Sequence, residues 1–410
     1  MSDAQKHAIL SPSGADRWMI CPGSVALTKD LVNPSSAFSV EGTDYHEVAA
    51  YCLENKIDAV ECVGREMPSG AFATDENCEY VQKYLDLVRG YLAQGGSLRV
   101  EERVPIGHLT GEVGAEGTAD AVILREDDEL IIIDLKFGRG VEVAVADNRQ
   151  LKLYALGVLE KHALSDEYKT IRMVICQPRS AGTSEWVCSI ADLLAFGDVV
   201  KEVAKPILVR LANPKATLDP LPLVPSEKGC RFCLARGTCS ALRSSVEQAR
   251  TEGFTSEMAE DVLKTKTVPP TATGEILSAA MKKIDLVEIW AKGVRTALEL
   301  TLLQGVSVPD WKLVQGKKGN RAWTSVQEAE ALFKSFRLKH EQMYTSKLIS
   351  PTAAEKLLGE SEKRWVKVNA LITQPPGQPS VAPETDPRPA IVIGSPEEGF
   401  EVVEDYSDIL

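Results

Sequence analysis

The stretch LIIIDLK at residues 130–136 limits the folds open to this chain more than any other. Its unbroken apolar run suits a strand covered on both faces, which is a feature of α/β layers rather than of half-wetted sheets. The run ends in Asp134, with Lys136 two residues on. Residues two apart on a strand share a face, so these two side chains point together with the Leu135 carbonyl between them. An acid and a base there would be costly to bury without a purpose.

Periodicity around this strand predicts the rest of the core. The sequence GTDYHEVAAYCLEN predicts a helix from Thr43, with Thr43 as its cap, and the apolar spacing over 75–92 predicts a second. Strands are expected at 98–106, 118–124 and 130–135, then a helix over 147–161, strands near 171–177 and 185–190, and a helix over 191–211. Helix, three strands, helix, strand is the order of an α/β core with a central mixed sheet. Residues 1–245 are read as this core and 246–373 as a mainly helical C-terminal module. The proline-rich and then acidic stretch 374–410 is read as a disordered tail.

No run of eighteen apolar residues occurs, so no membrane span is expected. MSDAQKHAIL lacks the cationic and apolar regions of a secretory signal, which predicts a cytoplasmic protein. The net charge of −13 includes eight acids and one arginine within residues 383–410. The remainder therefore carries −13 − (−7) = −6. That balance fits an acidic metal site with a local basic track better than a surface coated in positive charge.

Asp120 opens the strand before Asp134, and a hairpin between the two strands would bring the acids together. Two carboxylates and the Leu135 carbonyl are hard ligands suited to Mg²⁺ or Mn²⁺. Such an ion polarises a phosphoryl oxygen and activates a bound water, and a neighbouring lysine can steady the developing charge. An isolated Asp-Leu-Lys is equally compatible with a surface ion pair. His46 could complete a metal shell or be a structural helical histidine. Gln150 and Tyr154 share a helix face at i, i+4, where they could meet water and phosphate or belong to an ordinary amphipathic helix.

The ordered set His46, Asp120, Asp134-Leu135-Lys136 and Gln150-x3-Tyr154 resembles the motifs of RecB-type exonuclease domains in the PD-(D/E)xK superfamily. The resemblance implies a restriction-endonuclease-like core in which the histidine and both acids bind metal. It implies a catalytic lysine, with the glutamine and tyrosine forming the last motif. Glu102 and Glu116 are further acids expected near the site.

Nine cysteines in a chain read as unsecreted argue for metal-binding or buried thiols. Cys52, Cys62, Cys78, Cys176 and Cys188 are scattered, as buried thiols are. Cys230-x2-Cys233-x5-Cys239 supplies three ligands, and Cys21 is the candidate fourth. Spacing alone admits zinc or a [4Fe–4S] cluster. The one-plus-three layout around a RecB-type domain is similar to the iron-staple nucleases, namely the B subunit of the AddAB helicase–nuclease and the CRISPR-associated exonucleases. That likeness implies a structural [4Fe–4S] cluster.

The whole chain, including SPSGADRWMICPGS, DWKLVQGKKGNRAW and the PPGQP…PETDPRPAI stretch, also resembles a nuclease family encoded by phages and prophages. The resemblance implies Mg²⁺- or Mn²⁺-dependent DNA exonucleolysis in the host cytoplasm for recombination or repair. A phage single-strand-binding or annealing protein is then an expected partner. An idle DNA-binding scaffold and a CRISPR-type processing nuclease are the alternatives. In DWKLVQGKKGNRAW, Lys317, Lys318 and Arg321 surround a turn between Trp311 and Trp323. They could grip a nucleic-acid backbone, or the turn could be a solvated hairpin tip with both tryptophans in a local core.

Overall fold

The computed structural model describes residues 8–31, 37–126, 128–138, 142–162, 168–214, 220–253, 274–316, 322–344, 348–358, 362–373, 379–383 and 387–391. Contacts divide the chain into two compact units, Met1–Gly293 and Val294–Leu410. The first is mixed α/β. Helices α1 (Ala15–Ile20), α2 (Gly23–Thr28), α3 (Ala37–Asn55) and α4 (Asp75–Leu92) precede strand β1 (Ser97–Pro105). Short helix α5 (Gly107–Thr110), β2 (Glu116–Leu124), β3 (Glu129–Leu135) and α6 (Arg149–His162) follow. Then come β4 (Thr170–Gln177), β5 (Gly182–Ser189), α7 (Ile190–Ala212), α8 (Glu227–Cys230), α9 (Ser240–Gly253) and α10 (Gly274–Leu303), within which the first unit ends at Gly293.

The five strands form one sheet in chain order. Neighbours are antiparallel except β3 and β4, which run parallel. A parallel pair needs a crossover, and α6 supplies it. Residues 130–133 of β3 are fully buried, as an all-apolar strand demands. Leu130 and Ile132 face a core shared with α6 and α7, whereas Ile131 and Ile133 face one shared with α3 and α4. Each such side chain contributes about 1.5–3 kcal/mol relative to an exposed one.

Helix α4 has the predicted bounds, with the Thr74 side chain accepting the Asn77 amide at 3.3 Å as its cap. Thr43 does not cap a helix. Helix α3 starts at Ala37, and the Thr43 hydroxyl donates back to the Ser39 carbonyl at 3.1 Å.

Alternation breaks at one level of the sheet. Val100 and Ala121 pack on the α3/α4 side, yet Val104 and Ala119 pack on the α6/α7 side. Even spacing should have kept each pair on one face. Between them lie Glu101 and Asp120, the pair missing from an otherwise unbroken β1–β2 register. Glu101 has a φ of 46°, a left-handed value that turns the strand over.

In the second unit, β6 (Trp311–Gln315) pairs with β9 (Pro379–Pro383), and β7 (Ala322–Trp323) pairs with β8 (Ile372–Thr373). The hairpin expected between Trp311 and Trp323 is therefore absent among the described residues, because each arm finds a later strand. Part of the segment expected to be a disordered tail is β9. Trp323 stands edge-on to Phe333 in a small core, while Trp311 is exposed. Lys317, Lys318 and Arg321 lie outside the described residues. No helix among the described residues is long and apolar enough to cross a membrane.

Helix α6 sits close on β1 at Gly157, where a Cβ would stand 2.8 Å from Val104 Cβ and 3.0 Å from the Pro105 carbonyl oxygen. Gly157→Ala should destabilise the first unit by about 1–3 kcal/mol through overpacking. Gly90→Ala, in open space on α4, should stabilise it by about 0.5–1 kcal/mol. Urea denaturation of both variants checks the contrast.

Candidate functional site

At the turned-over level, adjacent strands carry Glu101, Asp120 and Asp134. The β2–β3 ladder ends at Ala121–Ile133, one step before the two aspartates. In place of the next ladder bond, the Leu135 amide donates to Asp120 Oδ2 at 2.6 Å. The Leu135 side chain itself is buried. Helix α3 brings His46 in from one face of the sheet, with Nδ1 3.4 Å from Asp120 Oδ1. Helix α6 brings Gln150 and Tyr154 in from the other.

Lys136 Nζ lies 2.8 Å from Asp134 Oδ2 and 3.2 Å from Oδ1, and it donates to Gln150 Oε1 at 3.1 Å. The Gln150 amide in turn donates to the Tyr154 hydroxyl at 2.9 Å, with a longer contact of 3.4 Å to Asp134 Oδ1. Gly117 makes room for the tyrosine, since a Cβ there would come within 2.9 Å of its ring. The structure thus assembles His46, Asp120, Asp134, Lys136, Gln150 and Tyr154, which come from or adjoin four separate elements, at one end of the sheet.

Glu101 was missed. It faces the cluster, and atoms of His46, Glu101 and Asp120 lie within 4.8 Å of one another. Glu102, expected near the site, instead binds Lys161 at 2.7 Å and His162 at 3.0 Å. Glu116 lies 4.0 Å from Arg103. Simple alternation assigns Glu102 and not Glu101 to the side of Val100. Only the left-handed step at Glu101 reverses this, and no glycine marks it in the sequence.

Burial sets the electrostatics. It lowers the His46 pKa, but the charge and hydrogen bond of Asp120 outweigh it and bring the imidazole up to about 9. Burial of the Glu101 carboxyl and then the charge of Asp120 push that acid up to about 7. Burial also raises Asp134, against the pull of Lys136. Asp120 stays below the usual carboxylate range because His46, Lys136 and the Leu135 amide outweigh its burial. Lys136 is raised, its two aspartates overcoming desolvation.

The donor set is one imidazole with hard carboxylates, which fits Mg²⁺ or Mn²⁺. Asp134 Oδ2 is buried and, despite the nearby Lys136, accepts no aligned hydrogen bond among the described residues.

The four patterned cysteines also converge. Cys21, Cys230, Cys233 and Cys239 line one apolar cavity with Leu223 and Leu242. The turn after Cys21 lies directly on the chain leading to α8, where the Gly23 amide donates to the Pro222 carbonyl at 3.0 Å. A Cβ at Gly23 would stand 2.7 Å from the Leu221 carbonyl oxygen, so only glycine permits that approach. Amides of Val224 and Ser226 donate to the sulfurs of Cys21 and Cys230 at 3.3 and 3.4 Å. Burial pushes the Cys230 and Cys233 thiols up, so a bound cation would be needed to hold them as thiolates. Cys52, Cys62, Cys78, Cys176 and Cys188 are buried elsewhere, as expected.

Fold and site together define a mixed α/β protein with a five-stranded sheet that ends in a histidine–carboxylate–lysine cluster. The chain belongs to the family described as "Protein of unknown function (DUF2800)", whose pattern matches residues 7–389. It is also similar to a solved structure reported as "Crystal structure of SSO0001", at 14% identity over 55% of this chain and 95% of that one. The TM-score of 0.23 is too low for that likeness to bear on fold or function.

A cation at His46, Glu101 and Asp120 must displace the protons held there up to about pH 9 and about pH 7. Metal affinity should therefore rise with pH across that window, with release of protons on binding. Without metal the native state holds more protons than the unfolded chain, so stability should fall as pH rises through the same window. Thermal melts with and without Mn²⁺ should diverge more at about pH 9 than at about pH 6. Equal Mn²⁺ stabilisation at both would contradict the assignment.

Proposed function

We propose that the protein is a Mg²⁺- or Mn²⁺-dependent DNA exonuclease of the PD-(D/E)xK type, with a [4Fe–4S] cluster on its four patterned cysteines. The observation that carries this reading is the meeting of His46, Asp120, Asp134 and Lys136 at one sheet end, with Gln150 and Tyr154 behind them. His46, Glu101, Asp120, Asp134 and the Leu135 carbonyl are the proposed ligands. A divalent ion bound there supplies Lewis-acid charge and an activated water.

The chain's own residues do the rest. Asp134 and Gln150 hold the Lys136 ammonium at the sheet end, where it can steady charge on a phosphate oxygen. The Gln150 carbonyl and amide groups tie that lysine to Tyr154, so the ammonium is fixed before substrate arrives. The Leu135 amide keeps Asp120 ionised and oriented. Buried carboxylates without a polar task would be a costly ending for β3.

Two features support the cluster. The four cysteines line one cavity. The amides aimed at Cys21 and Cys230 are the N–H donors that tune cluster sulfurs. Recombination or repair as the setting, a phage single-strand-binding or annealing protein as partner, and DNA contact by Lys317, Lys318 and Arg321 rest on the family resemblance and the sequence alone.

End-labelled single- and double-stranded DNA incubated with the protein and Mn²⁺ should be shortened. Asp120→Ala and Asp134→Ala should each abolish the cleavage, and Lys136→Ala should lower it by at least about a hundredfold while keeping Mn²⁺ binding. Wild-type cleavage by Asp134→Ala would remove the active-site assignment.

Protein purified without oxygen should be brown, with broad absorbance near about 400 nm. Cys21→Ala should bleach it and lower the melting temperature, whereas Cys52→Ala should leave the colour. Colourless protein holding one zinc would replace the cluster and spare the nuclease reading.

A further inference from the structure

Arg179 occupies the turn between β4 and β5, two residues beyond the end of β4. Its side chain is 4% exposed. Nη1 pairs with Glu41 Oε2 at 2.9 Å and contacts the Phe137 carbonyl at 3.4 Å. The guanidinium also lies over the Phe137 ring, 4.8 Å from its centre. Phe137 in turn stacks on Tyr45 at 4.6 Å.

These contacts join two of the pieces of chain that build the cluster, α3 and the end of β3. Glu41 lies on α3, five residues before His46, and Tyr45 is the neighbour of His46. Phe137 follows Lys136 directly, where β3 leaves the sheet. The Lys136 amide is itself anchored to the Cys176 carbonyl of β4 at 2.8 Å. Helix α4 braces the same link, since the Asn77 side-chain Nδ2 donates to Glu41 Oε1 at 3.2 Å.

As a device for stability alone, this arrangement is poor. A buried guanidinium loses its hydration, and here the Nε finds no partner among the described residues. A well-packed apolar side chain would serve a core as well or better. We propose that Arg179 is a positioning residue: through Glu41 and Phe137 it holds α3, and with it His46, in register with the acidic row at the sheet end. This rests on the reading of that row as a metal site.

The test measures Mn²⁺ affinity of the full-length protein without DNA, so it does not depend on nuclease activity. Asp120→Asn identifies the relevant site by the loss of binding. Arg179→Met should weaken Mn²⁺ binding by about ten- to a hundredfold, the usual cost of removing a group that orients a metal ligand. Its melting temperature should stay close to wild type, because Glu41 is a third exposed and can be hydrated when unpaired. Glu41→Gln should show the same loss of affinity from the other end of the pair, and the double variant should be no worse than Arg179→Met alone. Arg179→Lys, which keeps the charge, should recover part of the affinity.

If Arg179→Met folds and binds Mn²⁺ within twofold of wild type, the positioning role is wrong and the metal site stands. If Arg179→Met does not fold, unchanged affinity in Glu41→Gln overturns the proposal in the same way. Wild-type protein that binds no Mn²⁺ overturns both the proposal and the site beneath it.

Discussion

A carboxylate at the end of an all-apolar strand is tolerable only beside a cation, and this sheet places two there on neighbouring strands. Asp120 and Asp134 stand one step beyond the last paired residues of β2 and β3. His46 reaches the first at 3.4 Å and Lys136 the second at 2.8 Å. The two cations cannot exchange places, because His46 rides on a helix packed against one face and Lys136 is tied to Gln150 on the opposite one. Charge balance at the sheet end therefore requires both helical layers at once. The cores formed by α3 and α4 and by α6 and α7 must close on the same few atoms.

Much of this was legible in the sequence. The run LIIIDL announced a doubly covered strand, and its residues 130–133 are fully buried. The spacing of Gln150 and Tyr154 announced a shared helix face, and their side chains bond to each other at 2.9 Å. What failed was anything that depended on a local break in periodicity. Glu101 entered the cluster and Glu102 left it because a single non-glycine residue adopts a φ of 46°. Neither strand carries a mark of that reversal. The pairing of β6 with β9 was equally hidden, since two five-residue strands separated by more than sixty residues leave no periodic trace.

The cysteine cavity shows a different kind of legibility. Three cysteines close together in the sequence needed a fourth partner, and Cys21 was the candidate because it precedes the core. Its place in the structure depends on more than the cysteine. Gly23 admits the chain at 221–222 to within hydrogen-bonding distance, and the amide of Val224 then meets the Cys21 sulfur. Closing a loop of some two hundred residues removes much freedom from the unfolded chain. The gain would be realised only if something bridges the sulfurs, since neutral thiols alone do not link the two ends of that loop.

The two centres therefore meet opposite requirements with the same economy of chain. At the sheet end, burial raises Glu101 and Asp134, and one of the two cations there, His46, is brought in by a helix whose position the strands alone do not determine. A shift of α3 along the sheet by one turn, about 5.4 Å, would carry His46 out of reach of Asp120 while leaving an apolar stripe against the same strands. Hydrophobic contact is forgiving of such a slip, because several registers bury similar area. Directed contacts are not. The pairs Ser69–Asp44 at 2.5 Å and Arg179–Glu41 at 2.9 Å both fall within the half of α3 that carries His46. Burial therefore explains why α3 lies on this sheet, and those polar links explain where along the sheet it stops.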